Sequence, residues 1–127
     1  VKLSIETLGR ATLASAEGRL DFGAAEGFQK QLEQALTARP SAGAAGAAPE
    51  LTAALIIDCA TLDYVSSAGL RAFLVLARAA QRTGATFALC ALQPSVREVF
   101  DLSGFSRIIT VYPDRATALA QAPKADR

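Results

Sequence analysis

"AALIIDCATLDYVSSAGLRAFL", residues 53–74, decides the fold. Residues 53–59 form a short apolar run broken only by Asp58, which is how a strand covered on both faces reads. From Leu70 onward the apolar positions recur at helical spacing, with Leu70, Phe73, Leu74 and Ala77 as the expected buried stripe. Between the two lies a corner of small and polar residues, Ser66, Ser67, Ala68 and Gly69. A strand that turns directly into a helix predicts an α/β domain, and the flanking sequence extends it.

Upstream, residues 2–8 alternate Leu3, Ile5 and Thr7 against Ser4 and Glu6, and a second alternating stretch follows Gly9-Arg10 up to Glu17. Asp21 is placed to cap a helix in which Phe22, Ala25, Phe28, Leu32, Ala35 and Leu36 recur at helical spacing, ending near Thr37. Residues 38–52, containing "ARPSAGAAGAAPE", are rich in Ala, Gly and Pro and read as a flexible loop. Downstream, Gly84 is positioned as a helix C-cap, "ATFALCAL" reads as a buried strand, and Pro94 opens a helix with Val96, Val99 and Phe100 inward. The run 99–102 is expected in the core. "IITVY" reads as a last strand, and Pro113-Asp114 starts a short terminal helix.

The order ββαβαβαβα predicts one α/β domain over residues 1–122, with residues 123–127 as a frayed tail. Its sheet is mixed and mostly parallel, of about five strands with helices packed on it, because helices return the chain between the later strands, by right-handed crossovers. In such sheets ligands and partners gather at the carboxyl ends of the strands, where Asp58 and the serine corner are expected.

Composition removes several function classes. The chain has 127 residues and no histidine, so Ser-His catalysis and imidazole metal ligation are excluded. Cys59 and Cys90 lie 31 positions apart in apolar segments and read as buried free thiols. No metal site or cofactor is expected, and no enzyme. Thirteen basic and twelve acidic side chains leave a net charge of +1, which supplies no field for nucleic acid or an anionic membrane. The apolar run at residues 72–77 is cut by Arg71 and Arg78, well short of the ~20 residues of a membrane span. Without a recognisable secretory signal, a cytoplasmic location is expected.

The two serines have two readings. One hydroxyl before a helix accepts a bond from an orphan N–H and contributes about 1 kcal/mol as a cap. A second hydroxyl at the same helix N-terminus stands where free N–H groups and the helix dipole would stabilise an added phosphate. Similarly, Asp21 reads as a helix cap and Asp58 as a polar residue at a strand end bonding loop amides. On the helix after the corner, Arg71, Val75, Arg78 and Arg82 form a face that reads either as solvated surface or as a docking surface.

"GRLDF" at residues 18–22, "LIIDCATLDYVSSAGLRAFLVLARAAQRTG" at 55–84 and "PSVREVFDLSGFSRIITVYPD" at 94–114 resemble the STAS domain, in particular the bacterial anti-sigma factor antagonists. The resemblance implies a non-catalytic regulatory module. It would bind a protein partner, often a serine kinase acting as an anti-sigma factor, and be released when one corner serine is phosphorylated; a metal-dependent phosphatase would reset it. The family pattern Asp-Ser-Ser/Thr-Gly-Leu sets Ser66 at the Asp position, Ser67 at the first hydroxyl and Ala68 at the second, ahead of Gly69. Ser67 is therefore the nearest match to the acceptor, with Ser66 as the fallback, and Asp21 and Asp58 align with acidic positions near the modified serine. The same resemblance admits a second function, a STAS-type cytoplasmic subunit of an ABC-type transport assembly that docks constitutively on the ATPase.

Overall fold

The computed structural model describes residues 1–8, 11–37 and 53–121. The expected loop over 38–52, the Gly9-Arg10 turn and the frayed tail at 123–127 lie outside the described residues. In chain order the elements are β1 (Lys2–Leu8), β2 (Ala11–Leu20), α1 (Phe22–Thr37), β3 (Ala54–Val65), α2 (Ser67–Thr83), β4 (Thr86–Cys90), α3 (Pro94–Ser103), a 3-10 turn (Phe105–Arg107), β5 (Thr110–Tyr112) and α4 (Arg115–Gln121). The sheet runs in the order β1-β2-β3-β4-β5. β1 is antiparallel to β2, and all later neighbours are parallel. This is the expected mixed, mostly parallel α/β sheet.

The two sheet faces are covered unequally, and strand alternation sorts the residues between them. Leu55, Ile57 and Cys59 of β3 join Phe28, Leu32 and Leu36 of α1, Phe73 and Leu76 of α2, and Val96 and Phe100 of α3 in one large core. Ile56 instead joins Leu13, Cys90 and Ala118 in a small cluster under α4. Three rings link the helices of the larger core: Phe73 stands 5.7 Å from both Phe28 and Phe100, edge-on to the first. Full burial of each such side chain contributes roughly 1.5–3 kcal/mol.

β3 does not stop at residue 59 as the sequence suggests. It continues to Val65, still paired with β2 through register shifts between Ser15 and Glu17 and between Gly18 and Arg19. Each shift places one extra residue on β3. The buried positions Cys59, Leu62 and Val65 are therefore spaced by three, although all face the same core. Pairing with β4 ends at Asp58–Cys90, so the far half of β3 has no strand on that side. Gln93 covers part of it, its Nε2 donating to the Ala60 carbonyl at 2.9 Å and to Asp63 Oδ1 at 3.3 Å.

Three further expectations need correction. The buried face of α2 is Gly69, Ala72, Phe73, Leu76, Ala79 and Ala80, with Leu70, Leu74 and Ala77 only half-buried. The sequence stripe was out of phase because α2 packs chiefly through alanines, which carry little hydropathy signal. In α3 only Val96 and Phe100 are buried; Leu102 is 82% exposed and Val99 is 39% exposed, outside the core. The last strand is confined to Thr110–Tyr112, since the 3-10 turn at Phe105–Arg107 uses the preceding chain, leaving Ile109 buried and Ile108 exposed. The expected caps and thiols do stand: Gly84 ends α2 at φ 82°, and Cys59 and Cys90 are free and buried.

Candidate functional site

The corner after β3 is built by the end of β2. The Ser66 amide donates to the Leu20 carbonyl at 2.9 Å, continuing the parallel ladder one residue past Val65. The Ser66 hydroxyl donates to the same carbonyl at 3.1 Å and accepts from the Gly69 amide at 3.1 Å. Ser66, at φ −82° and ψ 174°, is thus the N-cap of α2. Its oxygen satisfies one of the orphan donors of the first turn while its proton is used elsewhere.

Gly69 is fixed by close approach. A Cβ there would lie 2.9 Å from the Leu20 Cγ, the Leu20 carbonyl oxygen and the Val65 Cγ1. Any side chain at 69 would push β2 away from α2, so the Ser-Ala-Gly order has a packing reason independent of chemistry.

Ser67 stands apart from this lock. It is the first residue of α2, is exposed, and its hydroxyl has no hydrogen-bond partner among the described residues. Helical geometry puts Ser67, Arg71, Leu74 and Arg78 on one outward line, spaced by four, three and four. Arg71 and Arg78 are exposed, Val75 is half-buried beside them, and Arg82 lies exposed at the far end of the helix. None of the three arginines has an ion-pair partner among the described residues. Arg82 also lines a shallow cleft of about 300 Å³ between α1 and α2, with Lys30, Glu33 and Gln34.

Asp21 follows Leu20 directly and caps α1, its Oδ1 accepting from the Ala24 amide at 3.0 Å. The next residue, Phe22, is 83% exposed. On the adjoining strand ends, the Arg19 guanidinium lies 4.2 Å from the centroid of the half-exposed Tyr64 ring. Exposed aromatic surface around a polar centre is what protein-binding patches use. Helical spacing assigns Phe22 to the core stripe of α1 and nothing in the sequence singles out Tyr64, since amphipathic spacing alone cannot say where a helix face ends.

Asp58 is elsewhere. It is the fifth residue of β3, not its end, and seven residues of extended chain put it up to about 20 Å back from Val65. Its Oδ2 accepts from Arg115 Nη2 at 2.8 Å and Nε at 3.0 Å, and its Oδ1 from the Ala60 amide at 3.0 Å. Arg115 Nη2 also reaches Ser15 Oγ at 3.3 Å. The carboxylate therefore joins β3 to α4 on the lesser-covered face of the sheet. Only its amide contact matches the polar reading of the sequence; Arg115, 57 positions away, carried no local signal.

Burial pushes both thiols up, Cys90 to about 11 with a further push from Asp58, and Cys59 further still. Neither is a thiolate at neutral pH. Among the described residues no three Cys, Asp or Glu side chains gather as a metal site, and no helix is long and apolar enough to cross a membrane.

Comparison with known proteins agrees with this architecture. The model of the STAS domain matches residues 2–118. A Bordetella bronchiseptica protein named as an anti-sigma factor antagonist, BtrV, is 34% identical over 120 residues, covering 94% of this chain and 93% of the relative. Rv2638 of Mycobacterium tuberculosis, named as an anti-anti-sigma factor, is 33% identical over 116 residues, covering 89% and 70%. The anti-sigma factor antagonist SpoIIAA superposes in its unphosphorylated form with a TM-score of 0.75 at 19% identity, covering 94% and 95%. Its phosphorylated form, from Bacillus, superposes at 0.67 and 18%, covering 94% and 98%. At those identities the structural likeness is one of fold.

Proposed function

The chain belongs to the STAS domain family, and on that premise we propose that it is an anti-sigma factor antagonist whose Ser67 is the phosphorylation switch. The family is non-catalytic and works through protein partners. The partner in this reading is an anti-sigma factor with serine kinase activity, and the docking surface is the corner itself with Phe22, Tyr64 and the outward line Arg71–Arg78.

The observation that carries the choice of residue is the contrast between the two hydroxyls. Ser66 is occupied as donor and acceptor, so a phosphate on its oxygen would remove the bond to Leu20 and set negative charge against a carbonyl. Ser67 is exposed in the first turn, where the amides of residues 67 and 68 are orphan donors and the helix dipole favours an anion. Ala68 offers no oxygen. In the transfer, the Ser67 oxygen attacks the γ-phosphorus of ATP, the bond to the β-phosphate oxygen breaks, ADP leaves and the hydroxyl proton passes to a base on the kinase. A phosphatase returns the group to water as inorganic phosphate.

The added group brings a charge of about −1.5 to −2 into the partner surface while staying compatible with α2. The switch therefore acts on binding and leaves the fold intact. Affinity capture of the chain from its native cells, with mass spectrometry of the partners and of the peptide spanning the corner, tests this reading. A co-purifying serine kinase and phosphate on Ser67 are expected; transport ATPase subunits with an unmodified corner would overturn it.

A further inference from the structure

β1 forms one edge of the sheet, and among the described residues nothing pairs with its outer side. Of the usual protections of an edge the strand has only its two charges, Lys2 and Glu6. It has no proline, its seven residues run in unbroken register with β2, and Ile5 remains 44% exposed. The opposite edge, β5, is three residues long.

The sequence of β1 is complementary to itself. In an antiparallel pair of two β1 strands related by a two-fold axis at Ser4, Lys2 of each copy stands opposite Glu6 of the other. Leu3 stands opposite Ile5 in the same pairing, on the other face. Within the paired positions, Lys2, Ser4 and Glu6 occupy one side of the strand, and Leu3 and Ile5 the side on which Leu3 already packs against the main core. Since β1 carries one Lys and one Glu, this is the antiparallel register in which both meet an opposite charge.

From this match we propose that β1 is a homodimerisation edge, joining two copies of the chain into a continuous ten-stranded sheet through the Ser4-centred register. The interface is isologous, so it closes at two copies. Five residues of main-chain pairing on each copy, positions 2–6, and one apolar pair per half make it weak, forming in the micromolar to millimolar range. It is a different surface from the serine corner and does not depend on the phosphoswitch.

Sedimentation velocity of the full chain over that concentration range tests the proposal. Lys2→Glu and Glu6→Lys each turn both cross-strand charge pairs into like pairs, and each should weaken the dimer by about tenfold. Mixed in equal amounts, the two variants should associate with each other more tightly than either does with itself, because both pairs in the mixed dimer are again opposite. The double variant Lys2→Glu/Glu6→Lys should likewise restore self-association. Both positions are exposed, and circular dichroism of each variant verifies folding. A wild-type chain that stays monomeric throughout, or a dimer indifferent to these charges and to the mixing, would overturn the proposal.

Discussion

The hydroxyl of Ser66 donates to the carbonyl of Leu20 at 3.1 Å, joining residues 46 positions apart in the chain. This bond and the parallel amide bond beside it make the end of β2 part of the corner, so Asp21 and Phe22 lie next to α2 without touching it in sequence. The corner is thus rigid at Ser66 and free at Ser67, and the cap and the unbound hydroxyl belong to different side chains.

Ser66→Ala should destabilise the chain by about 1 kcal/mol, since it removes the cap from the Gly69 amide. Ser67→Ala should change stability by less than about 0.5 kcal/mol, as an exposed hydroxyl away from any such feature does. Urea midpoints of the two variants measure the difference; equal losses would show that the two serines share the cap.

Two glycine-to-alanine changes inside helices should have opposite signs. A Cβ at Gly27 in α1 would have no atom within 4 Å, so Gly27→Ala should stabilise by up to ~1 kcal/mol through helix propensity. Gly69→Ala meets Leu20 and Val65 at 2.9 Å and should destabilise by roughly 1–3 kcal/mol, outweighing the same propensity gain. Thermal melts of both variants decide this, and a stabilised Gly69→Ala chain would mean that the corner packs loosely.

Stability should fall above pH 9 because the folded chain keeps its thiols protonated. With Cys90 pushed up from 9.0 to about 11, the unfolded state releases a proton first as pH rises, so the folded state binds more protons and loses ground. The contribution is fully present below pH 9 and is lost through pH 11, with an upper limit of about 3 kcal/mol for this thiol. Chemical denaturation at pH 8 and pH 10 of the wild type and of Cys90→Ala measures it: the fall should be smaller in the variant.

Much of this was legible in the sequence, and the failures share a cause. Element order, the parallel sheet, the Asp21 and Gly84 caps and the buried thiols follow from local chemistry. The second half of β3 was not legible, because two bulges change the inward spacing from two to three at Cys59, Leu62 and Val65. The Asp58–Arg115 pair depends on how α4 returns to the sheet, and no residue near either partner records that. At the corner, the sequence showed two serines and not their division of labour, which is set by the Leu20 carbonyl on another strand.

Arg78→Glu should slow association with the partner and change its salt dependence more than it changes dissociation, because Arg78 is an exposed rim charge two helical turns beyond Arg71. Stopped-flow or surface-based kinetics at two salt concentrations would show it. An unchanged association rate at low salt would remove this helix face from the docking surface.

In the proposed switch, charge at Ser67 controls binding and not folding, which the affinities of Ser67→Asp and Ser67→Ala for the captured partner measure. Both chains should melt close to the wild type, with the Ala variant binding as tightly as the unmodified protein and the Asp variant binding at least about tenfold more weakly, equivalent to roughly 1.4 kcal/mol. Equal affinities of the two folded variants would show that Ser67 is not the switch.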